Sequence, residues 1–330
     1  MLPIRWRLFA SGKEKEMSDK MKRTEAELRN AIAQAVRDAR ERKPLAGSVT
    51  NTVTQNFVAN AQLAVGGSAA MVYLPDEAEF LADNGDSMYI NLGTLIPNYA
   101  ETVPRGAEAL HAAGKPWVLD PVGIGIGSLR TQLVKAVKPF KPTVLRGNAS
   151  EIIAVADMWG LIRPHVSQGD ASGITQDADE AAVQASDISV SDADATDDGS
   201  AGPRGVDSTD EVESARQSAI AVANYTGGAV MVSGKTDLVT DGKTVAMVEG
   251  GSPLFESITG SGCSLGGVVA VYAAVADPFV AALTATAIYD AAGTKAGSIA
   301  DAPASFQIAF LDELYKIEPE EVAQAAITLE

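Results

Sequence analysis

From about residue 45 onward, short apolar runs rich in Val, Leu and Ile alternate with Ala-rich stretches of helical character. The runs predict strands over Ala69–Tyr73, Ser87–Asn91, Pro116–Leu119, Thr143–Leu145 and Ala229–Val232, with helices such as Asn56–Val65, Val103–Ala113 and Ser128–Val137 between them. Strands that are apolar on both sides, separated by helices, belong to a parallel sheet covered on both faces, so the fold class is α/β. Ahead of them, Leu28, Ile32 and Val36 fall on one helical face, and Thr24 and Glu27 have the spacing of a capping box. That helix is expected to reach about Arg42, where Pro44 stops it. Near 238–248 the run LVT-DG-KTVAMV predicts a β-hairpin closed by Asp-Gly as a two-residue turn.

Two segments break the pattern. Residues 165–203 are rich in Asp, Ser and Ala and carry no aromatic residue, too little apolar surface to offset ordering entropy; a mobile, solvated surface insertion is expected. Residues 1–23 are expected to be a disordered extension of a single domain over 24–330. In that extension Arg5 and Arg7 interrupt the apolar residues, unlike a secretory leader, and Met17 or Met21 is the expected initiator if the start is over-long. The longest candidate membrane span, Val268 to Ala287, is cut by Asp277 and Pro278, so the expectation is a soluble, cytoplasmic protein without a membrane partner.

Composition narrows the chemistry. Of 330 residues, 46% are hydrophobic, enough for a substantial core. One Cys excludes an intramolecular disulfide framework, and with only two His a zinc enzyme is not expected. The net charge of −17 argues against a nucleic-acid partner. That charge is uneven: residues 1–43 carry +5, whereas 166–213 carry −12.

Three motifs lie at predicted strand ends, where ligands of parallel sheets gather. In Trp117-Val118-Leu119-Asp120-Pro121-Val122-Gly123, Asp120 can hold Mg²⁺ directly or through water, or serve only as a turn residue. In Arg146-Gly147-Asn148-Ala149-Ser150-Glu151, Arg146 can neutralise phosphate, and Asn148 with Glu151 can organise Mg²⁺ waters. The same pair can equally be an Asx turn with a capping box. In Thr259-Gly260-Ser261-Gly262-Cys263, the amides of Gly260, Ser261, Gly262 and Cys263 can form an anion hole at the start of an apolar helix from about Val268. Cys263 near that helix start is placed where a thiolate is favoured, unless it is a buried, inert packing residue.

The segments VTNTVTQNFVANAQLAVGGSAAM, INLGTL, GKPWVLDPVG, KPTVLRGNASEI, RGVDS and ITGSGC occur in this order over residues 44–160 and 203–315. In this the chain resembles the hydroxyethylthiazole kinases of thiamine salvage. The resemblance implies a ribokinase-like fold without a separate lid domain, and phosphorylation of 4-methyl-5-(2-hydroxyethyl)thiazole by ATP with Mg²⁺. It further implies ATP contacts at Arg146 and Ser233, and thiazole contacts at Met71, Gly260 and Asn51. Asp120, Asn148 and Glu151 are implied for Mg²⁺ and phosphate, Cys263 for the acceptor side, and a homotrimer with its sites between subunits for the assembly. Most ribokinase-like kinases carry Asp where Cys263 stands, so Cys263 is expected to orient or weakly activate the alcohol while Arg146, Mg²⁺ and the loop amides do most of the stabilising.

Two departures from the family pattern stand out. Gly47 replaces a His in PLVHxITN, either a loss of a structural residue or a change in the preferred alcohol, and Asp301–Phe306 lacks two glycines of the family's GPGSF. Two other functions share the same motifs. A ribokinase-like NAD(P)H-hydrate dehydratase would carry Asp at position 263, and a non-catalytic homologue would not be expected to retain Asp120, Arg146, Asn148 and Glu151.

Overall fold

The computed structural model describes residues 24–162 and 209–330. The expectations for residues 1–23 and for the acidic segment 165–203 lie outside the described residues, as does the RGVDS motif.

The first helix, α1 (Glu25–Arg42), starts as its spacing predicts: the Thr24 hydroxyl accepts from the Glu27 N–H at 3.3 Å, and the Glu27 carboxylate accepts from the Thr24 N–H at 2.8 Å. Each such cap contributes about 1 kcal/mol. Leu28, Ile32 and Val36 are its buried face.

Among the described residues, nine strands form one sheet in the order β2-β1-β3-β4-β5-β6-β7-β8-β9. The strands β1 (Leu45–Val49), β2 (Ser68–Met71), β3 (Ser87–Asn91), β4 (Trp117–Asp120), β5 (Val144–Asn148) and β6 (Ala229–Ser233) pair in parallel. The strands β7 (Thr236–Thr240), β8 (Val245–Glu249) and β9 (Ala326–Leu329) extend it antiparallel. Because β1 is followed by β2 on one side and β3 on the other, strand order reverses there. A crevice opens at the carboxyl ends of β1 and β3, the place where open α/β sheets bind ligands.

Successive strand residues feed two apolar layers. Tyr89, Val118, Val144 and Met231 face α1, α2 (Gln55–Ala64), α8 (Ser261–Ala273), α9 (Pro278–Ile299) and α10 (Pro303–Lys316). Ile90, Leu119, Leu145 and Val230 face α3 (Pro75–Asn84), α4 (Tyr99–Ala113), α5 (Ser128–Val137), α6 (Ala149–Met158) and α7 (Thr209–Thr226). The helix α8 is buried along nearly its whole length after Gly262, as an all-round apolar helix must be. A short α11 (Pro319–Val322) leads into β9.

Several element ends differ from expectation for local reasons. β4 starts at Trp117 because Pro116 has no N–H to give to the ladder, and it runs on through Asp120. β5 runs on to Asn148. β2 stops at Met71 because the N–H groups of Tyr73 and Leu74 donate instead to the Glu77 carboxylate, at 2.9 and 3.0 Å. The hairpin is present, but its loop is 241–244 rather than a two-residue Asp-Gly turn. There Asp241 Oδ1 accepts from both Lys243 and Thr244 N–H. The helix expected from Val103 starts at Tyr99, and the apolar helix expected from Val268 starts at Ser261. The apolar run Val268–Ala287 is two helices, with Asp277 accepting from Val280 N–H at the start of α9, and no helix among the described residues is long and apolar enough to cross a membrane.

Candidate active site

Strand ends set the positions. Asp120 closes β4, Arg146 lies in β5, Ser233 closes β6, and Asn51 follows β1. Above them, Gly260 caps α8 with φ +86°, and a Cβ there would come within 2.5 Å of Thr54 Cγ2, so both the turn and the close approach require glycine.

The Arg146 guanidinium donates to Asp120 Oδ2 at 3.1 Å and to Ser233 Oγ at 2.9 Å. Both members of this ion pair are buried, Asp120 completely. Burial opposes the charge on Arg146, but Asp120, Tyr89 and Glu151 outweigh it and hold the group firmly protonated. A Cβ on Gly262 would lie 2.9 Å from Arg146 Nη1, so the loop backbone sits directly against the guanidinium. Asp120 Oδ2 also accepts from Tyr89 Oη at 2.6 Å and from Asn91 Nδ2 at 2.9 Å. Asp120 Oδ1 and Arg146 Nε are buried and have no hydrogen-bond partner among the described residues. Two orphaned atoms in one buried ion pair mark a place built for a charged visitor.

Asn148 and Glu151 adopt the capping-box geometry. Asn148 Oδ1 accepts from Glu151 N–H and Glu151 Oε2 accepts from Asn148 N–H, both at 2.9 Å. Glu151 Oε1 accepts from Gly123 N–H at 3.1 Å, which ties the DPVG turn to the start of α6. Burial, then the Asp120 charge, raise the Glu151 carboxyl above its usual range, against the pull of those two N–H groups. No cluster of three or more His, Cys, Asp or Glu side chains with metal-binding geometry occurs among the described residues.

Cys263 is buried, and its sulfur accepts from Asn51 Nδ2 at 3.2 Å and Asn91 Nδ2 at 3.5 Å. Of the two readings that the sequence leaves open, the geometry favours the buried thiol. Burial pushes the thiol up, the neighbouring Asp120 charge adds to it, and the opposing pull of Thr54, Arg146 and Asn51 does not reverse it. A thiolate at this helix start is therefore not favoured.

A cleft of about 700 Å³ opens beside the ion pair, lined by Arg146, Asn148, Ser233, Gly250, Gly251 and Phe255 among others. Met71 stands apart from it: it ends the outer strand β2, pairs with Ser48, and borders a separate surface hollow with Asp76 and Phe80. Gly47 faces Leu81 and Met88, since a Cβ would meet them at 3.0 and 3.3 Å. The position where the family pattern has His thus points into the apolar layer under α3, not into the site.

Sequence reasoning missed Tyr89, Asn91 and Tyr289. The first two are polar residues two apart in a strand buried on both faces, and that misfit was the available signal. Tyr289 Oη donates to Ser261 O at 2.6 Å and lies 2.6 Å from Ser264 Oγ, which donates to Gly260 O at 2.9 Å. Its ring stacks on Phe255 of the cleft wall. A residue from α9 thus fixes the first turn of α8, and no sequence spacing announces it.

The fold is ribokinase-like: a pyridoxal kinase from Staphylococcus aureus shares it, with a TM-score of 0.50 and 14% identity over 77% of this chain and 88% of that one. More specifically, the chain belongs to the hydroxyethylthiazole kinase family, whose model matches residues 36–201 and 192–320. A hydroxyethylthiazole kinase of Bifidobacterium longum (strain DJO10A) is 45% identical over 317 residues, covering 92% of each chain. One from Leptospira interrogans is 38% identical over 290 residues, 88% of this chain and 94% of its own. The solved hydroxyethylthiazole kinase of Pyrococcus horikoshii OT3 superposes with a TM-score of 0.72 at 27% identity, over 91% of this chain and 98% of that one.

Proposed function

We propose that the protein transfers the γ-phosphoryl group of ATP to the primary alcohol of 4-methyl-5-(2-hydroxyethyl)thiazole, in thiamine salvage. The alcohol oxygen bonds to the γ-phosphorus, the bond from that phosphorus to the β–γ bridging oxygen breaks, ADP leaves, and the alcohol proton passes to water. The observation that carries this reading is the buried Asp120–Arg146 ion pair, whose guanidinium lines the cleft and reaches Ser233, in a chain of this family.

Arg146 is held with its charge intact and offers Nε beside the phosphate position, stabilising negative charge as it spreads over the transferred group. Gly262 presses the loop backbone against that guanidinium, so Gly260, Ser261, Gly262 and Cys263 offer amides from the first turn of α8 toward the same charge. Ser233 fixes the second guanidinium arm and contacts ATP. Mg²⁺, when bound, supplies neutralisation of phosphate charge; Asp120 Oδ1 is the oxygen left for it, with Asn148 and Glu151 organising its waters from the mouth of α6. Cys263 and Asn51 orient the alcohol. Since the thiol is pushed up, Cys263 does not act as a strong base.

Met71 on the outer strand fits a homotrimer in which the thiazole lies between subunits. A kinase drawing on an ATP pool fits a cytoplasmic location. The test is direct: incubate the protein with ATP, Mg²⁺ and the thiazole alcohol and look for the phosphate ester by mass spectrometry. No ester at saturating ATP and Mg²⁺ overturns the reading.

A further inference from the structure

The INLGTL segment has a role that the kinase reading leaves open. Its Asn91 ends β3 beside the crevice, and its amide is locked in one orientation. Asn91 Oδ1 accepts from Gly93 N–H at 2.9 Å, which forces Nδ2 to point the other way. Nδ2 then meets Tyr89 Oη at 2.8 Å, Asp120 Oδ2 at 2.9 Å and Cys263 Sγ at 3.5 Å. Two N–H groups face three acceptors. Tyr89 Oη and Asp120 Oδ2 are themselves hydrogen-bonded at 2.6 Å, so one N–H is shared between them and the other reaches the sulfur.

Gly93 is fixed from its other side by Arg130, whose Nε donates to Leu92 O at 2.8 Å and whose Nη2 donates to Gly93 O. A Cβ on Gly93 would lie 2.8 Å from Asn91 Oδ1 and 2.9 Å from Asn51 Nδ2, the two amides that hold Cys263. The bare Gly93 backbone is therefore what lets both amides reach the sulfur.

We propose that Asn91 is a positioning residue that holds the acceptor-side sulfur of Cys263 and the phosphate-side carboxylate of Asp120 in one frame, with Gly93 as its set-screw. The assignment to an acceptor and a phosphate side rests on the kinase reading; the frame itself does not. It acts on the alignment of the two ends rather than on the affinity for either substrate.

The experiment compares wild type, Asn91→Ser, Gly93→Ala, Cys263→Ala and the Asn91→Ser/Cys263→Ala double variant. Gly93→Ala removes no polar group and needs no unusual backbone, so it serves where Asn91→Ser fails to fold, as judged by thermal melting. Expected for either variant is a kcat about tenfold lower, with KM for the alcohol and for ATP within about twofold. The double variant loses less than the product of the two single losses, because Asn91 acts partly through the sulfur. Wild-type kcat in folded Asn91→Ser or Gly93→Ala, a loss confined to KM, or a strictly multiplicative double variant overturns the proposal.

Because Cys263 is the one cysteine of the chain, alkylation by iodoacetamide reads it without substrates. Losing an N–H donor to the sulfur disfavours the reacting anion, so alkylation at fixed pH slows about threefold or more. A site merely loosened reacts as fast or faster, and that result also overturns the proposal. If wild type makes no ester, the kinase reading falls, and the alkylation rate still decides whether Asn91 and Gly93 hold the sulfur.

Discussion

The two ends of the crevice are built from different chemistry. At the end that the proposed function assigns to phosphate, the buried Arg146–Asp120 pair and the half-buried Ser233 stand on three adjacent strands, β4, β5 and β6. At the end that the proposed function assigns to the acceptor, Cys263 sits among neutral amides, and burial pushes its thiol up. The contrast teaches where the rate enhancement resides. Charge stabilisation in a dry pocket contributes several kcal/mol, whereas a thiol pushed above its usual range contributes little as a base. On the proposed function, the protein relies on positioning and electrostatics at the phosphate end, and its acceptor end has only to aim the alcohol.

The largest effect tests the charged end. Arg146→Ala removes the guanidinium and leaves Asp120 buried without its counter-charge. Turnover is expected to fall by about a thousandfold, and stability by about 3–5 kcal/mol, read by steady-state kinetics and denaturant melts. Next, Cys263→Ala is expected to cost about tenfold or less in kcat with the fold intact, since only weak contacts to the sulfur, those from Asn51 and Asn91 among them, are lost. If Cys263→Ala were as damaging as Asp120→Ala, the two ends would carry equal weight and the comparison would collapse. Smaller again, Ser233→Ala removes the acceptor for one Arg146 arm; KM for ATP is expected to rise by about threefold to tenfold with kcat nearly unchanged.

The same division separates what the sequence disclosed from what it hid. Part of the charged end was legible from strand ends: apolar runs deliver Asp120, and Arg146 through Asn148, where a parallel sheet binds ligands, whereas Ser233 came only through the family resemblance. The capping box of Asn148 and Glu151 was legible too, as one of two open readings, because it needs residues only three apart. The acceptor end depends on contacts between distant segments. Asn51 follows β1, Asn91 ends β3 and Cys263 lies on α8, and the thiol's burial follows from how α8 packs on the sheet, a tertiary fact that no local spacing encodes. The strand ends misjudged from sequence have the same origin: a Glu77 carboxylate reaching back, or a proline without an N–H, decides them rather than the apolar run itself.

The smallest effect concerns a counterweight within the charged end. Asp237 and Asp290 both line the cleft, and each raises the cost of ionising the other. Burial pushes the Asp237 carboxyl from an ordinary 3.8 to about 6, against the Gly234 N–H and the Arg146 charge, and burial together with Asp237 raises Asp290 well above its ordinary value. The folded protein thus keeps a proton on Asp237 to higher pH than the unfolded chain does, so this site's contribution to stability is present at low pH and is lost as pH rises toward about 6. Asp237→Asn retains an oxygen for the Gly234 N–H and removes the charge. The variant is expected to melt a few degrees higher than wild type at pH 7.5, and the gap is expected to close as pH falls below the ordinary 3.8, where wild-type Asp237 is protonated in both states. With one negative charge fewer beside the triphosphate, KM for ATP at pH 7.5 is expected to fall about twofold. A melting gap that does not change with pH would mean that the Asp237 carboxyl titrates alike in the folded protein and the unfolded chain, so that burial does not raise it and Asp237 is no counterweight to Arg146.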